Sequence, residues 1–376
     1  MYIADLHIHS RFSRATSRDC DLPHLDWWAR RKGIQLIGTG DFTHPAWRAE
    51  MREQLVPAGE GVYALREGLT MEGTAPGAAP RFVVTGEISC IYKRHGRTRK
   101  VHNLILLPSL EAAEELSVRL EAIGNIHSDG RPILGLDSRD LLELTLDACP
   151  EAEFIPAHIW TPHFSVFGAF SGFNSMEECF EELTPHIHAV ETGLSSDPPM
   201  NWSVPSLSRY QLISNSDAHS PSKLGREATL LNTGLSYKDI YNDIQTGKGL
   251  AGTLEFFPQE GKYFMDGHRK CGVCLSPEEA VKLNGICPVC GKKLTTGVLH
   301  RVQDLAALPV PDLFSNTQAA SAKPLTDTPF SVSKGSDQTS AIHLPFESIS
   351  PLPELIAAAE GFSPSSVKVT RIYETL

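Results

Sequence analysis

Across residues 1–258 the chain alternates between short apolar runs and longer segments with apolar residues at helical spacing. The short runs, at 2–9, 35–38, 82–86, 101–107, 154–157, 189–191 and 211–214, are rich in Val, Ile and Leu and too short for helices, so they read as strands. The longer segments, at 22–32, 110–123, 137–149, 175–183 and 237–246, read as helices with one buried face. Asp137 and Ser175 stand at N-cap positions, where a short polar side chain accepts from the free amides of the first turn. Gly33 and Gly247 stand at C-caps, where the chain turns left-handed. Strand–helix alternation predicts an α/β fold around a mainly parallel sheet, open or closed into a barrel.

The pattern changes after residue 258. Residues 259–307 are basic and carry two Cys pairs; 308–342 are rich in Ser, Thr, Pro, Ala and Asp without an apolar period; 343–376 hold one helix, at 352–360. The expected organisation is therefore a large catalytic unit at 1–258, a metal-binding module at 259–307, a low-complexity linker at 308–342 and a short helical segment at 343–376.

Composition narrows the class. The chain has 376 residues, more than one ordinary core, with 41% hydrophobic and 21% charged residues, as soluble proteins have. No apolar run approaches the ~20 residues that span a bilayer. Met1-Tyr2-Ile3-Ala4-Asp5 lacks the basic, then apolar, layout of a secretory signal, which points to the cytoplasm. A net charge of -11 speaks against nucleic acid, but the segment 262–301 carries seven Lys/Arg against three acids. Cys271-Gly272-Val273-Cys274 and, twelve residues on, Cys287-Pro288-Val289-Cys290 fit a structural zinc with four thiolate ligands better than a redox pair or a disulfide.

The chemistry lies in a recurrence. His7 and His9 lie at the end of the first run, on the same side of an extended chain. Asp41 and His44 follow the second, Glu87 the third, His102 opens the next, His158 follows the fifth, and Asp217 and His219 follow the last. Any one of these residues is more simply a satisfied polar group. Their return at strand after strand, at the end where α/β folds build active sites, marks a metal centre. Imidazoles with bridging carboxylates hold Zn, Mn, Mg or Fe in clusters that clamp a phosphoryl group in transfer.

In this order His7-x-His9, Asp41 with His44, Glu87, His102, His158 and Ser216-Asp217-Ala218-His219 resemble the motifs of the PHP (polymerase and histidinol phosphatase) superfamily. Three longer strings, at 38–45, 191–198 and 216–221, resemble the endonuclease Q family within it. The resemblance implies a distorted (β/α)7 barrel followed by a zinc module and a helical tail, longer in that family than here. It also implies up to three divalent metals: one on His7, His9, Glu87 and Asp217, a second on Glu87, His102 and His158, and a third on Asp41, His44 and His219. His7, His9, Glu87 and Asp217 would be the catalytic core. The implied activity is nicking of DNA 5′ to deaminated bases (uracil, hypoxanthine, xanthine) or abasic sites, leaving a 3′-hydroxyl and a 5′-phosphate. A phosphatase acting on a small monoester would share every one of these ligands. Candidate DNA contacts are Arg97, Arg99 and Lys100 in a basic run joining two strands, and Ser171, Asn174, Asp197 and Asn201 for the base.

Overall fold

The computed structural model of the chain describes residues 1–306 and 343–375; the predicted linker, 308–342, lies outside them. In order, the first elements are β1 (Tyr2–Asp5), α1 (Leu22–Lys32), β2 (Leu36–Gly38), α2 (Pro45–Gln54), β3 (Leu55–Gly59), β4 (Val62–Leu65), β5 (Arg81–Arg94) and β6 (Arg97–Leu107). Then come α3 (Leu110–Glu121), β7 (Ile133–Leu134), α4 (Ser138–Ala148), β8 (Glu153–Pro156), α5 (Met176–Phe180), β9 (Ala189–Glu191), α6 (Pro198–Trp202) and β10 (Gln211–Ile213). The large unit ends with β11 (Ala228–Leu231), α7 (Tyr237–Thr246) and β12 (Leu250–Glu255).

Local signals place these elements. Asp21 accepts from the His24 amide to start α1, three basic residues fill its last turn, and Gly33 ends it at φ 67°. Gly247 ends α7 at φ 74°. Among the described residues the main sheet has 11 strands. β1, β2 and β5 run parallel, as expected. β6 returns antiparallel on β5, β8 antiparallel on β6, and β11 antiparallel on β1, so the sheet is mixed rather than mainly parallel. The cause at β6 is a two-residue turn: His95 and Gly96 both have positive φ, 49° and 71°, which suits a tight hairpin and admits only antiparallel neighbours.

β9 and β10 form a small parallel sheet of their own. It is linked to β8 by Ile159 N–H donating to Glu191 O (3.1 Å) and to β1 by an Ile8–Ala218 bridge. One alternate set of side chains, Ala4, Leu36, Val83, Leu104, Ile155, Ala189 and Ile213, makes one buried cluster. The opposite set, including Ile37, Phe82, Ile105 and Phe154, packs with α1, α3 and α4 in a larger one. Polar residues just beyond the strand ends are thereby fixed to a rigid frame.

The module contains β13 (Asp266–His268), β14 (Val273–Leu275), α8 (Pro277–Lys282) and α9 (Val298–Leu305). Arg301 on α9 ties it to the large unit, donating to Phe167 O (3.0 Å), Phe173 O (2.8 Å) and Asn174 Oδ1 (2.9 Å). The last residues add β15 (Phe346–Ser348), parallel to β12, and two helices, α10 (Leu352–Glu360) and α11 (Val367–Thr375), where the sequence indicated one. Among the described residues no helix is long and apolar enough to cross a membrane.

Candidate metal centre

β1 delivers His7 and His9, both fully buried, and each is fixed by its inner nitrogen. His7 Nδ1 lies 3.0 Å from both oxygens of Glu191, and His9 Nδ1 lies 3.0 Å from Asp41 Oδ1. Asp41 is held in turn by the amide and hydroxyl of Ser10, each donating at 2.6 Å. A carboxylate behind an imidazole sets its tautomer and leaves the outer nitrogen free as a ligand. The outer Nε2 atoms face Asp217, at 3.0 Å from His9 and 3.8 Å from His7.

A second group adjoins the first. Glu87 Oε1 stands 2.7 Å from His102 Nδ1, 3.1 Å from His158 Nε2 and 3.6 Å from His7 Nε2, while Oε2 stands 3.5 Å from His9 Nε2. Glu87 therefore sits between the two groups, as a bridging ligand must. His158 Nδ1 bonds Thr161 Oγ1 at 2.9 Å, and its amide donates to Glu191 Oε2 at 2.8 Å. Asp41, His158 and Asp217 have positive φ (49°, 29° and 47°), a region that side-chain-bearing residues rarely occupy and that concentrates at functional sites. Space is equally tight: a Cβ on Gly193 would lie 2.4 Å from the His158 Cβ.

Electrostatics follow from burial and pairing. Burial works against charge on His7 and His9, but facing carboxylates outweigh it: His7 rises well above the usual imidazole value and His9 to about 9. Burial dominates at His102, which falls to about 4. Burial likewise opposes ionisation of Glu87, yet His102, His7 and Arg131 hold it well below the carboxylate range. Asp217 is held down against burial by His9 and His7.

The donor set fits divalent cations. Nε2 of His7, Nε2 of His9 and Oδ1 of Asp217 are buried and make no hydrogen bond, an arrangement that costs stability unless something else binds them. His7, His9 and Asp217 form one set of ligand atoms within 4.8 Å of one another, and Glu87, His102 and His158 form another. The remaining three expected ligands, Asp41, His44 and His219, form no such set among the described residues. Asp41 is turned onto His9, and His44 stacks on Phe12 (4.4 Å) with Nε2 on the His127 carbonyl (3.0 Å). His219 leans against His9, with ring centres 4.5 Å apart, and its Nδ1 meets the backbone oxygen of Asp217.

The expected DNA contacts divide sharply. Arg97 is exposed at the hairpin tip, and the half-buried Lys100 lies over Phe164 at 5.1 Å. The other candidates also have partners within the chain. Arg99 is 5% exposed, lies 4.0 Å over the Phe173 ring and donates to Gly172 O. Ser171 donates to Lys100 O, Asn174 accepts from Arg301, and Asp197 caps α6 through the Met200 amide. Asn201 is 1% exposed and holds Trp160 Nε1 at 2.8 Å.

Two residues were not anticipated. Glu191 supports both His7 and His158, and its place at the end of a strand was a signal available in the sequence. Arg131 donates to Glu87 Oε2 at 3.1 Å from a loop with no such signal. Asp217 of the first group and His102 and His158 of the second line a cleft of about 410 Å³, together with Arg131, Phe164, Phe256, Tyr263 and Phe264. In the module, His268, Cys271, Cys287 and Cys290 come together, while Cys274 lies outside that set and is exposed.

No family model matches the chain. Fold and site nevertheless define its class: the chain belongs to the PHP superfamily of metal-dependent phosphoesterases, in one family with the uncharacterized protein YqxK of Bacillus subtilis. It is 30% identical to YqxK over 293 residues, 74% of this chain and 68% of that protein. Within the superfamily its likeness is to endonuclease Q. The crystal structure of the lesion-specific endonuclease PfuEndoQ from Pyrococcus furiosus matches with a TM-score of 0.77 at 26% identity, covering 100% of this chain and 82% of that one. Endonuclease Q in complex with a 27-mer duplex substrate, with an abasic lesion at the active site, matches with a TM-score of 0.78 at 26% identity, covering 99% and 82%.

Proposed function

We propose that the chain is a DNA-repair endonuclease that nicks the phosphodiester 5′ to a deaminated base or an abasic site, leaving a 3′-hydroxyl and a 5′-phosphate. The observation that carries this reading is the cleft. His102, His158 and Asp217, one or more ligands from each group, line an aromatic-walled hollow of about 410 Å³, within the size range of small-molecule sites and large enough for an extruded nucleotide. The likeness to endonuclease Q supports DNA as the polymer.

We read residues 1–258 as a distorted (β/α)7 barrel, its order β1-β2-β5-β6-β8, then across the Ile159–Glu191 hydrogen bond to β9-β10, and back towards β1 through the Ile8–Ala218 bridge. Residues 259–307 are the appended zinc module and 343–376 the helical tail.

Divalent cations on His7, His9, Glu87 and Asp217, and on Glu87, His102 and His158, would supply Lewis-acid polarisation of the phosphate and a water of lowered pKa. The chain's own groups do the rest. Glu191 and Asp41 would keep protons on the inner nitrogens of His7 and His9, leaving the outer nitrogens, which face Glu87 and Asp217, as ligands for a cation. Arg131, which faces the same cleft beside Glu87, is placed to neutralise the scissile phosphate. Phe164, Phe256, Tyr263 and Phe264 offer faces on which an extruded base or its sugar can rest. Arg97 and Lys100, outside the cleft, suit the flanking backbone.

The test incubates the full chain and Mn²⁺ or Mg²⁺ with end-labelled duplexes carrying one uracil, one hypoxanthine or one abasic site, with an intact duplex and a small phosphate monoester alongside. Cleavage one bond 5′ to the lesion, lost in His9→Ala and Asp217→Ala at unchanged Tm, is expected. Turnover of the monoester with every lesion duplex left whole overturns the reading in favour of a phosphatase.

A further inference from the structure

In the module, Cys287-Pro288-Val289-Cys290 is followed by Gly291 at φ 68°, whose N–H donates to Cys287 O at 2.9 Å. A left-handed glycine directly after the second cysteine lets the chain double back, so that both side chains point at one spot. A left-handed glycine also follows the cysteine at His268-Arg269-Lys270-Cys271-Gly272, where Gly272 has φ 64°, although its N–H closes a tighter turn on Arg269 O at 3.1 Å. The spacing is shared: His268 stands three residues before Cys271, as Cys287 stands three before Cys290, each pair followed by a glycine of positive φ.

Side-chain positions agree. Ligand atoms of His268, Cys271, Cys287 and Cys290 all lie within 4.8 Å of one another, with His268 Nδ1 3.4 Å from Cys290 Sγ. Zinc–nitrogen and zinc–sulfur bonds of about 2.0–2.1 and 2.3 Å at a tetrahedral angle put those atoms roughly 3.5 Å apart. Cys274 is turned away by its own strand. Val273 and Leu275 pack against Ala280, Cys287 and Leu294, and side chains alternate along a strand, so Cys274 points outward.

We propose that the module's zinc is held by His268, Cys271, Cys287 and Cys290, and that Cys274 is a free surface thiol. Three thiolates and a neutral imidazole around Zn²⁺ carry one negative charge, where four thiolates carry two. That halves the acidic load beneath Arg269, Lys270, Lys292 and Lys293, which suits a module that sits against an anionic partner.

The test uses the full, zinc-loaded chain and reads thiol alkylation by mass spectrometry. Cys274 and Cys290 are both exposed, so burial alone gives them no reason to differ. Cys274 is expected to label at least about tenfold faster than Cys271, Cys287 and Cys290, and a chelator should bring the three level with it. Cobalt substitution gives a second readout independent of activity, since the sheet's ligands contain no sulfur and the thiolate-to-cobalt band reports the module alone. Cys274→Ser should keep that band at full height, His268→Ala should weaken metal affinity by about tenfold or more, and His268→Cys should restore it with added thiolate intensity. Protection of Cys274 equal to that of the other three, or a band that falls by about a quarter in Cys274→Ser, overturns the assignment.

Discussion

In the sheet, every ligand imidazole of the first group is itself gripped from behind: Glu191 holds His7 and Asp41 holds His9. All four of these residues are essentially fully buried, set on a frame with two large apolar clusters. In the module, by contrast, only Cys287 of the ligands is buried, in a small apolar cluster with Ala280 and Leu294, while His268 and Cys271 are partly exposed and Cys290 is exposed. One site is preorganised by the fold, and the other site organises its fold. So small a core cannot offset the backbone entropy of ordering the module, whereas structural zinc binding is worth ~10–16 kcal/mol in zinc-finger peptides.

Chelation should therefore separate the two regions, with the largest effect of all. EDTA is expected to abolish nicking and open the module, exposing Cys271, Cys287 and Cys290 to alkylation. Cys20, Cys90, Cys149 and Cys179, which are 7% exposed or less, should stay protected in an intact sheet. Hydrogen exchange on the same sample supplies the check, because loss of protection in β1, β2 and β5 would show that the sheet needs its metals to fold.

A sharper break comes from the grip behind the ligands. Glu191→Gln keeps the shape and removes the charge that opposes His7 and steadies His158. Second partners of this kind are worth ~10–100-fold in metal affinity or activity. The expected outcome is a loss of that size in manganese affinity by titration, with Tm within a few degrees of the parent. A metal affinity equal to the parent's would mean that the ligands hold their own orientation.

How much of this contrast was legible in the sequence depends on how local its causes are. α1 and α7 were readable to the residue, since Asp21, Gly33 and Gly247 act within one turn of themselves. Ligand order along the strands was readable for the same reason. The β5–β6 hairpin ran longer than its apolar cores at 82–86 and 101–107, because a His95-Gly96 turn let polar residues join the ladder. What escaped was non-local. The oxygen of Asn174 accepts from Arg301, 127 residues away, and that of Asn201 from Trp160, partners no local pattern announces. The CxxC spacing is visible in a sequence, whereas the approach of His268 to Cys290, 22 residues away, is not.

Arg131 tests the electrostatic side of the sheet site with a smaller effect. Its guanidinium faces Glu87 in the cleft, and a charge-assisted bond to phosphate is worth about 1.5–3 kcal/mol, or roughly 10–100-fold. Arg131→Gln should weaken inhibition by inorganic phosphate, and raise KM for lesion DNA, by about that factor, while metal content stays at the parent level. If metal content falls in step with phosphate affinity, Arg131 holds Glu87 in place rather than substrate.

The smallest expected effect lies in the frame itself. Glu255 is fully buried behind the site, bonded by Thr192 and Ser214, and burial, aided by Asp197, lifts its carboxyl to about 8. An unfolded glutamate titrates near ~4.3, so between there and about 8 the folded chain keeps a proton that the unfolded chain has lost. Stability from this group is thus fully present at acid pH, falls as pH rises towards 8, and is level above. The module runs the other way, since thiolate and imidazole ligands bind metal better as protons leave. Glu255→Gln, a neutral isostere, should match the parent's Tm at pH 5 and exceed it at pH 9, while module zinc affinity keeps its pH slope unchanged. Parallel Tm curves for parent and variant across that range would place the charge of Glu255 in both states alike and remove the buried acid from the comparison.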